Sequence, residues 1–236
     1  CQTAVTVVLA ETVTKLEQNA FMNCSALTEI TILKSTTKVE TNAFKGCIKL
    51  TTVKFGTPVS IGSSSFEGCT NLSTISTEYI TSVTNNSFKN CSSLIGDFNF
   101  DRLNSIGHTN TDSPFAGTGF TSLSMPLLTS VSANAFKGCT SLISVDVPKV
   151  AIVGANAFKG CTGLTTVTFG TNVALNESSF SGCSSLASIS ANFVTTIKDD
   201  TFLNCARLLG PLNFENLTSI TISNGTSPFA GSGISS

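Results

Sequence analysis

Ten copies of one short motif, spaced at nearly constant intervals, restrict this chain to a repeat architecture. Eight copies read F-x-[GN]-C and begin at Phe21, Phe44, Phe66, Phe88, Phe136, Phe158, Phe180 and Phe202. Their cysteines follow three residues later, at Cys24, Cys47, Cys69, Cys91, Cys139, Cys161, Cys183 and Cys205. The spacing is 22 or 23 residues within each group of four. Two further copies, Pro114–Gly117 and Pro228–Gly231, read Pro-Phe-Ala-Gly and follow steps of 27 residues. A longer period lies over the first, because Phe44, Phe66, Phe88 and Phe115 recur 114 residues later as Phe158, Phe180, Phe202 and Phe229. A five-unit block is therefore present twice, over approximately residues 1–120 and 121–236. A fixed period of this length marks a solenoid or array.

Each unit carries the same local signals. After the cysteine comes L-x-x-[VI]-x-[FIV], as in Leu50-Thr51-Thr52-Val53-Lys54-Phe55 and Leu164-Thr165-Thr166-Val167-Thr168-Phe169. Apolar and polar residues alternate at its end and β-branched residues dominate, which predicts a strand. A turn and a second short apolar stretch follow, such as Val59-Ser60-Ile61 or Val150-Ala151-Ile152-Val153. The residue two before each phenylalanine is Asn, Ser or Asp in all ten units (Asn19, Asn42, Ser64, Asn86, Ser113, Asn134, Asn156, Ser178, Asp200, Ser227). These residue types cap helix starts. Two residues after the phenylalanine stands Gly in seven units and Asn in three (Asn23, Asn90, Asn204). Both tolerate the positive φ at which a short helix ends. The segment thus predicts a single helical turn.

One 22-residue unit cannot bury its own apolar face, but stacked units cover one another. The expected fold is one solenoid of about ten rungs spanning residues 1–236. A parallel β-sheet lies on one face, and short helical or irregular turns lie on the other. At a strand spacing of about 4.8 Å, ten rungs extend roughly 45–50 Å. The first residue falls in mid-pattern and the last unit stops inside a repeat, so a piece of a longer protein is expected.

The strand motif followed by I-x-x-x-A-F-x-G-C resembles the BspA-like leucine-rich repeats, also called the Treponema pallidum type. Leu142-Ile143-Ser144-Val145-Asp146-Val147-Pro148 and Asn156-Ala157-Phe158-Lys159-Gly160-Cys161 carry the likeness, which covers essentially the whole chain. Pro148 has no counterpart in most units, and the two 27-residue units lack the cysteine. The resemblance implies a surface or secreted protein of bacteria or mucosal parasites that attaches to host cells, extracellular matrix or other microbes. On that basis the leading expectation is an extracellular recognition or adhesion module, with a protein or glycan ligand on another cell or matrix. The alternative is a structural spacer that holds another domain away from the membrane.

Composition narrows the remaining classes. Thirteen basic and fourteen acidic residues nearly cancel, and charged residues are only 11%. No clustered Lys/Arg surplus is available for nucleic acid or anionic lipid. No apolar stretch reaches the length of a membrane span, so direct membrane insertion is not expected. Eight of nine cysteines occupy one repeated rung position, which reads as a ladder of buried thiols acting as small apolar residues. Parallel stacking rarely gives the disulfide dihedral. Zinc needs Cys or His a few residues apart, whereas the closest cysteines here are 22 apart. Cys1 stands outside the ladder, and the sequence leaves its redox state open. A Ser/His/Asp triad would have to be built on His108, the only histidine, with Asp112. Ile222 stands at the equivalent place in the second block, so His108 reads as a loop residue. With no phosphate loop, metal set or paired carboxylates, neither catalysis nor a cofactor is expected.

Seven N-x-[ST] sequons begin at Asn23, Asn71, Asn85, Asn90, Asn176, Asn216 and Asn224. Asn23 and Asn90 adjoin buried cysteines, which hinders glycan attachment there. The candidate ligand face is the outward side of the strands. There the polar positions align across rungs: Glu29, Thr31, Thr52, Lys54, Thr74, Ser76, Asp97, Asn99, Ser122, Ser124, Ser144, Asp146, Thr166, Thr168, Ser188, Ser190 and Asn213. This is a neutral, hydroxyl-rich platform. Aromatic anchors are scarce on it, so each contact is weak and avidity comes from many copies. The two long units, 92–114 and 206–228, each add about five residues, and insertions in solenoids map to loops on one face.

Overall fold

The computed structural model describes residues 6–33, 35–107, 113–223 and 225–234. Over these the chain winds as a flattened coil. In chain order the strands are β1 (Thr6–Val8), β2 (Lys15–Leu16), β3 (Glu29–Ile32), β4 (Lys38–Val39), β5 (Thr52–Phe55), β6 (Val59–Ile61), β7 (Thr74–Ile75), β8 (Ile80–Val83), β9 (Ile95–Asn99) and β10 (Ser105–Ile106). They continue with β11 (Gly119–Ser124), β12 (Ser130–Val131), β13 (Ser144–Val147), β14 (Ile152–Val153), β15 (Thr166–Phe169), β16 (Val173–Leu175), β17 (Ser188–Ile189), β18 (Val194–Ile197) and β19 (Ser219–Ile220). The L-x-x-[VI]-x-[FIV] segments form a front sheet in two parts, ordered β1-β3-β5-β7 and β9-β11-β13-β15-β17. Pairing is parallel and in register: Glu29 opposes Thr52, which opposes Thr74.

The second apolar stretch of each unit is also a strand. These stretches pair into a back sheet, ordered β2-β4-β6-β8-β10 and β12-β14-β16-β18-β19. The sequence predicted a sheet on one face only. The back strands are two to four residues long, too short for a period of two to show.

The turn that closes each rung differs from the expected capped helix. An N-cap residue has an extended backbone, yet Asn19, Asn42, Ser64, Asn86, Asn134, Asn156, Ser178 and Asp200 all have φ between 54° and 62°. They start a left-handed kink, which short polar side chains tolerate. The Gly or Asn two after the phenylalanine is left-handed as predicted, as at Asn23 (φ 58°), Gly46 (φ 72°) and Gly160 (φ 73°). The alternation lets every amide find a partner. Asn42, Phe44 and Gly46 donate to Ser63, Ser65 and Glu67 of the next rung at 2.8–2.9 Å. Ala43, Lys45 and Cys47 donate back to Glu40, Asn42 and Phe44 at 3.1–3.2 Å. A helix would spend all these bonds within the rung. This turn gives half of them to its neighbour, so it serves as a third inter-rung ladder.

Where a rung ends its turn with Asn, the next must use Gly. A Cβ on Gly46 would lie 2.3 Å from Asn23 Oδ1, and one on Gly231 would lie 2.4 Å from Asn204 Oδ1. Gly160 has the same left-handed backbone, but a Cβ added there would meet nothing within 4 Å. Gly160→Ala is therefore expected to cost only the left-handed penalty, about 1–2 kcal/mol. Gly46→Ala must also displace Asn23 and should unfold at distinctly lower urea concentration than Gly160→Ala.

Between the sheets and the turns the core repeats rung by rung. Ten phenylalanine rings, from Phe21 to Phe229, stack at centroid distances of 5.0–5.9 Å with interplanar angles of 2–12°. The cysteines stack beside them. Besides being buried, their thiols donate to the phenylalanine carbonyl of the preceding rung: Cys47 to Phe21 at 2.9 Å, Cys69 to Phe44 at 3.1 Å, Cys161 to Phe136 at 3.0 Å. Each such carbonyl also accepts the backbone N–H of its own rung's cysteine, as Phe44 does from Cys47 at 3.1 Å. The eight ladder cysteines are free and buried. The expected small apolar filler is thus also a hydrogen-bond donor.

The first long unit interrupts both sheets. No ladder joins β7 to β9 or β10 to β12 among the described residues. One-turn 3-10 segments, Thr77–Tyr79 and Ala191–Phe193, take the chain off the front sheet early, just after β7 and β17. Thr77 Oγ1 donates across the first break to the Asn99 carbonyl at 2.8 Å. Phe98, Phe100, Phe115 and Phe120 fill the space behind it, with centroids 4.7–6.1 Å apart. The extra chain is thus accommodated without breaking the phenylalanine stack. His108 and Asp112, the triad candidates, lie outside the described residues, as do Cys1 and Asn224.

Candidate functional site

The outer side of the front sheet presents two straight columns of polar side chains. In the second sheet part, Asp97, Ser122, Ser144, Thr166 and Ser188 oppose one another rung by rung. Asn99, Ser124, Asp146 and Thr168 form the parallel column. In the first part the columns are Glu29, Thr52 and Thr74, and Thr31 beside Lys54. The pleat produces this arrangement, because Val145, Val147, Val167 and Phe169 turn inward and are buried while the residues between them face out.

Three of the predicted residues do not join the columns freely. Ser76 and Ser190 stand where the 3-10 turns begin. Their hydroxyls accept from the Phe55 and Phe169 amides at 3.3 and 3.2 Å, so each stitches its rung to the one before. Asn213 lies in a rung with no front strand among the described residues. Pro211 occupies the place of Asp97 in the block repeat and has no N–H to give the ladder. Asn213 instead donates to Glu215 Oε1 at 2.6 Å.

Bonds already made separate the rest. Lys54 pairs with Glu29 at 2.6 Å; this pair is exposed and contributes at most about 1 kcal/mol. Asp97 accepts from Thr121 at 3.0 Å, and Ser188 donates to Thr166 at 3.3 Å. Thr31, Thr74 and Asn99 make no side-chain hydrogen bond among the described residues, and neither do the five neighbouring groups Ser122, Ser124, Ser144, Asp146 and Thr168. These five form one patch over β11, β13 and β15, two columns wide and three rungs deep, on a rigid hydrogen-bonded support. Beside it Ile143 is 47% exposed, and two rungs earlier Ile95 is 69% exposed. Sequence reasoning missed both. The signal is nonetheless present: they fill the first variable place of L-x-x-[VI], where other rungs carry Thr28, Thr51, Ser73 or Thr165.

Among the sequons, Asn23, Asn71, Asn90 and Asn216 are exposed, although Asn23 and Asn90 adjoin buried cysteines, and Asn216 donates to the Asn192 carbonyl at 2.6 Å. Asn23 and Asn90 place their side-chain oxygens over Gly46 and Gly117 of the next rung. No group of three or more His, Cys, Asp or Glu is placed to hold a metal ion among the described residues. Nor, among them, is any helix long and apolar enough to cross a membrane.

The model of the BspA-type leucine-rich repeat region matches residues 1–110 and 108–232, with six copies. This chain belongs to the BspA-type leucine-rich repeat family. Solenoids of this family are typically protein-interaction modules rather than enzymes. A leucine-rich repeat protein of Eubacterium ventriosum shares the fold, with 18% identity over 98% of this chain and 83% of that one and a TM-score of 0.53. A leucine-rich cell surface protein of Faecalibacterium prausnitzii is similar at 18% identity, over 99% and 92% of the two chains, with a TM-score of 0.41. The leucine-rich repeat protein of T. pallidum is similar at 21% identity, over 86% and 78%, also at 0.41. No curated protein matches the chain.

Proposed function

We propose that this BspA-type repeat chain is a recognition module of a cell-surface or secreted protein, and that it binds a protein or glycan on another cell or matrix through the front sheet. The observation that supports this most is the patch of Ser122, Ser124, Ser144, Asp146 and Thr168. These five groups hold hydrogen-bonding capacity that the fold does not use, and the ladder beneath fixes their spacing. A rigid array loses little entropy when it is covered. The exposed Ile143 gives the patch an apolar edge that a ligand can cover. Repetition of the patch over many copies on one surface supplies avidity that single contacts lack.

The reading is tested with purified chain applied to host epithelial cells, matrix proteins and bacterial surfaces. Thr168→Glu places a carboxylate next to Asp146 in the same column. It is expected to weaken binding by about tenfold, or 1.4 kcal/mol, while Ser130→Glu on the back sheet leaves binding unchanged. Binding that withstands Thr168→Glu removes the front sheet as the site. Absence of binding to all three surfaces favours the spacer reading instead.

A further inference from the structure

An open cleft of about 410 Å³ lies on the edge of the coil where the chain passes from the front sheet to the back, at the break between β7 and β9. Three successive rungs line it: Glu78 and Tyr79 from the first 3-10 turn, Asp101 and Arg102 after β9, and Leu127 after β11. It exists because neighbouring corners differ in length. β7 stops at Ile75 and turns off through Thr77–Tyr79, whereas β9 runs on to Asn99. The volume falls within the roughly 300–1,000 Å³ of small-ligand sites.

The duplicated block supplies an internal comparison. The residues 114 places later are Asn192, Phe193, Glu215 and Asn216. There the polar groups are consumed by the fold. Asn216 donates to the Asn192 carbonyl at 2.6 Å, and Glu215 accepts from Asn213 at 2.6 Å. In the first block none of these bonds is made. Among the described residues Glu78, Asp101 and Arg102 form no ion pair, although they line one cleft. The Tyr79 hydroxyl, on the chain's single tyrosine, likewise has no protein partner there. The first corner therefore carries acceptors, a guanidinium donor, a phenol and a partly exposed Leu127 that its own fold leaves unused.

We propose that this cleft binds one ring of a neutral saccharide. Two carboxylates and one guanidinium leave the lining one negative charge in excess, which disfavours an anion, and the guanidinium among them disfavours a second cation. Arg102 repels a lysine or arginine side chain, and the two carboxylates repel phosphate or sulfate. A pyranose suits both, since its hydroxyls donate to Glu78 and Asp101 and accept from Arg102. Its C–H face can lie against Tyr79 and Leu127, apolar bodies with a polar tip nearby. The site stands apart from the sheet patch and does not rest on the reading given for it.

The test is a titration of the purified chain with neutral hexoses, N-acetylhexosamines and their disaccharides, read by saturation-transfer NMR and by amide shifts. Dissociation constants on the order of 1 mM are expected for the best of them. Arg102→Asn and Tyr79→Phe install the residues of the second block, which the same fold already accommodates. Arg102→Asn should weaken binding about tenfold, the worth of a charge-assisted hydrogen bond. Tyr79→Phe should weaken it about threefold to tenfold, while Lys159→Ala on the turn side leaves it unchanged. The proposal is overturned if no saccharide in the panel gives a signal, or if binding is indifferent to both substitutions. It is equally overturned if oligolysine or inorganic phosphate binds at this corner and sugars do not.

Discussion

Raising the pH from 8 to 11 is expected to unfold the chain, with most of its stability lost between pH 9 and 11. The cause is the thiol ladder. Burial raises the pKa of Cys47 to about 11 and of Cys205 to about 12, and it pushes Cys69, Cys91, Cys139 and Cys183 upward as well. In the unfolded chain a thiol ionises near 8.5. Below that pH both states are protonated and the ladder's contribution is intact. Above it the unfolded chain gives up its protons and the folded one cannot. Each unit of pH then removes about 1.4 kcal/mol per thiol, until the folded pKa values are passed. At pH 10 Cys47 and Cys205 alone cost about 3–4 kcal/mol, and the four other thiols that burial pushes upward add to this, against the roughly 5–15 kcal/mol stability of a whole domain. Urea midpoints at intervals from pH 7 to 10.5 check this. Replacing Cys69 and Cys91 by alanine should make the alkaline fall shallower. A midpoint that stays constant through pH 10 would show that the thiols are not held neutral by burial.

The second large effect is expected from Phe158→Ala. The ring is fully buried, 5.2 Å from Phe136 and 5.1 Å from Phe180. Removing it takes out one large side chain and opens a gap in a stack that continues on both sides. The cost is about 3–5 kcal/mol. Phe21→Ala should cost far less, about 1–2 kcal/mol, because that ring is only half-buried and has one stacking partner, Phe44 at 5.3 Å. The loss should also be local, since each rung rests only on its neighbours. Hydrogen exchange is expected to accelerate in β13–β17 and to change little in β3 and β5. Uniform acceleration through both blocks would mean that the coil behaves as one cooperative globule.

The architecture was legible because each repeat restates the same constraint. One Asn-x-Phe-x-Gly-Cys segment specifies little, but eight cysteine-bearing units and two Pro-Phe-Ala-Gly variants in register require stacking. The front strands were legible because four residues, as in Thr52–Phe55, suffice to display alternation. The back strands were not, since pairs such as Lys38–Val39 contain a single inward residue. Asn42 misled for a physical reason. The short polar side chain that caps a helix is also the one that endures a left-handed backbone, and residue type alone does not choose between them. The candidate face was legible as a set of outward positions. Which members are free was not, because that depends on partners one rung away. Ser190 and Ser124 look alike in sequence, yet Ser190 is tied to the Phe169 amide and Ser124 is uncommitted. The corner cleft was invisible in the sequence, since its walls come from three turns of unequal length.

Distances between spin labels along the front sheet test the stacking itself. Ser124 and Thr168 lie in one outward column, two paired steps apart through Asp146, and Thr31 lies in an outward column of the first sheet part. Cysteines placed at Thr31 and Ser124, or at Thr31 and Thr168, would be labelled in a chain with Cys1→Ser while the buried thiols stay unlabelled. Stacked rungs put the pairs about 20 Å and about 30 Å apart, the second longer by two strand spacings of about 4.8 Å. Equal distances for the two pairs, or a shorter one for the pair further apart in sequence, would contradict a coil of rungs that shield one another.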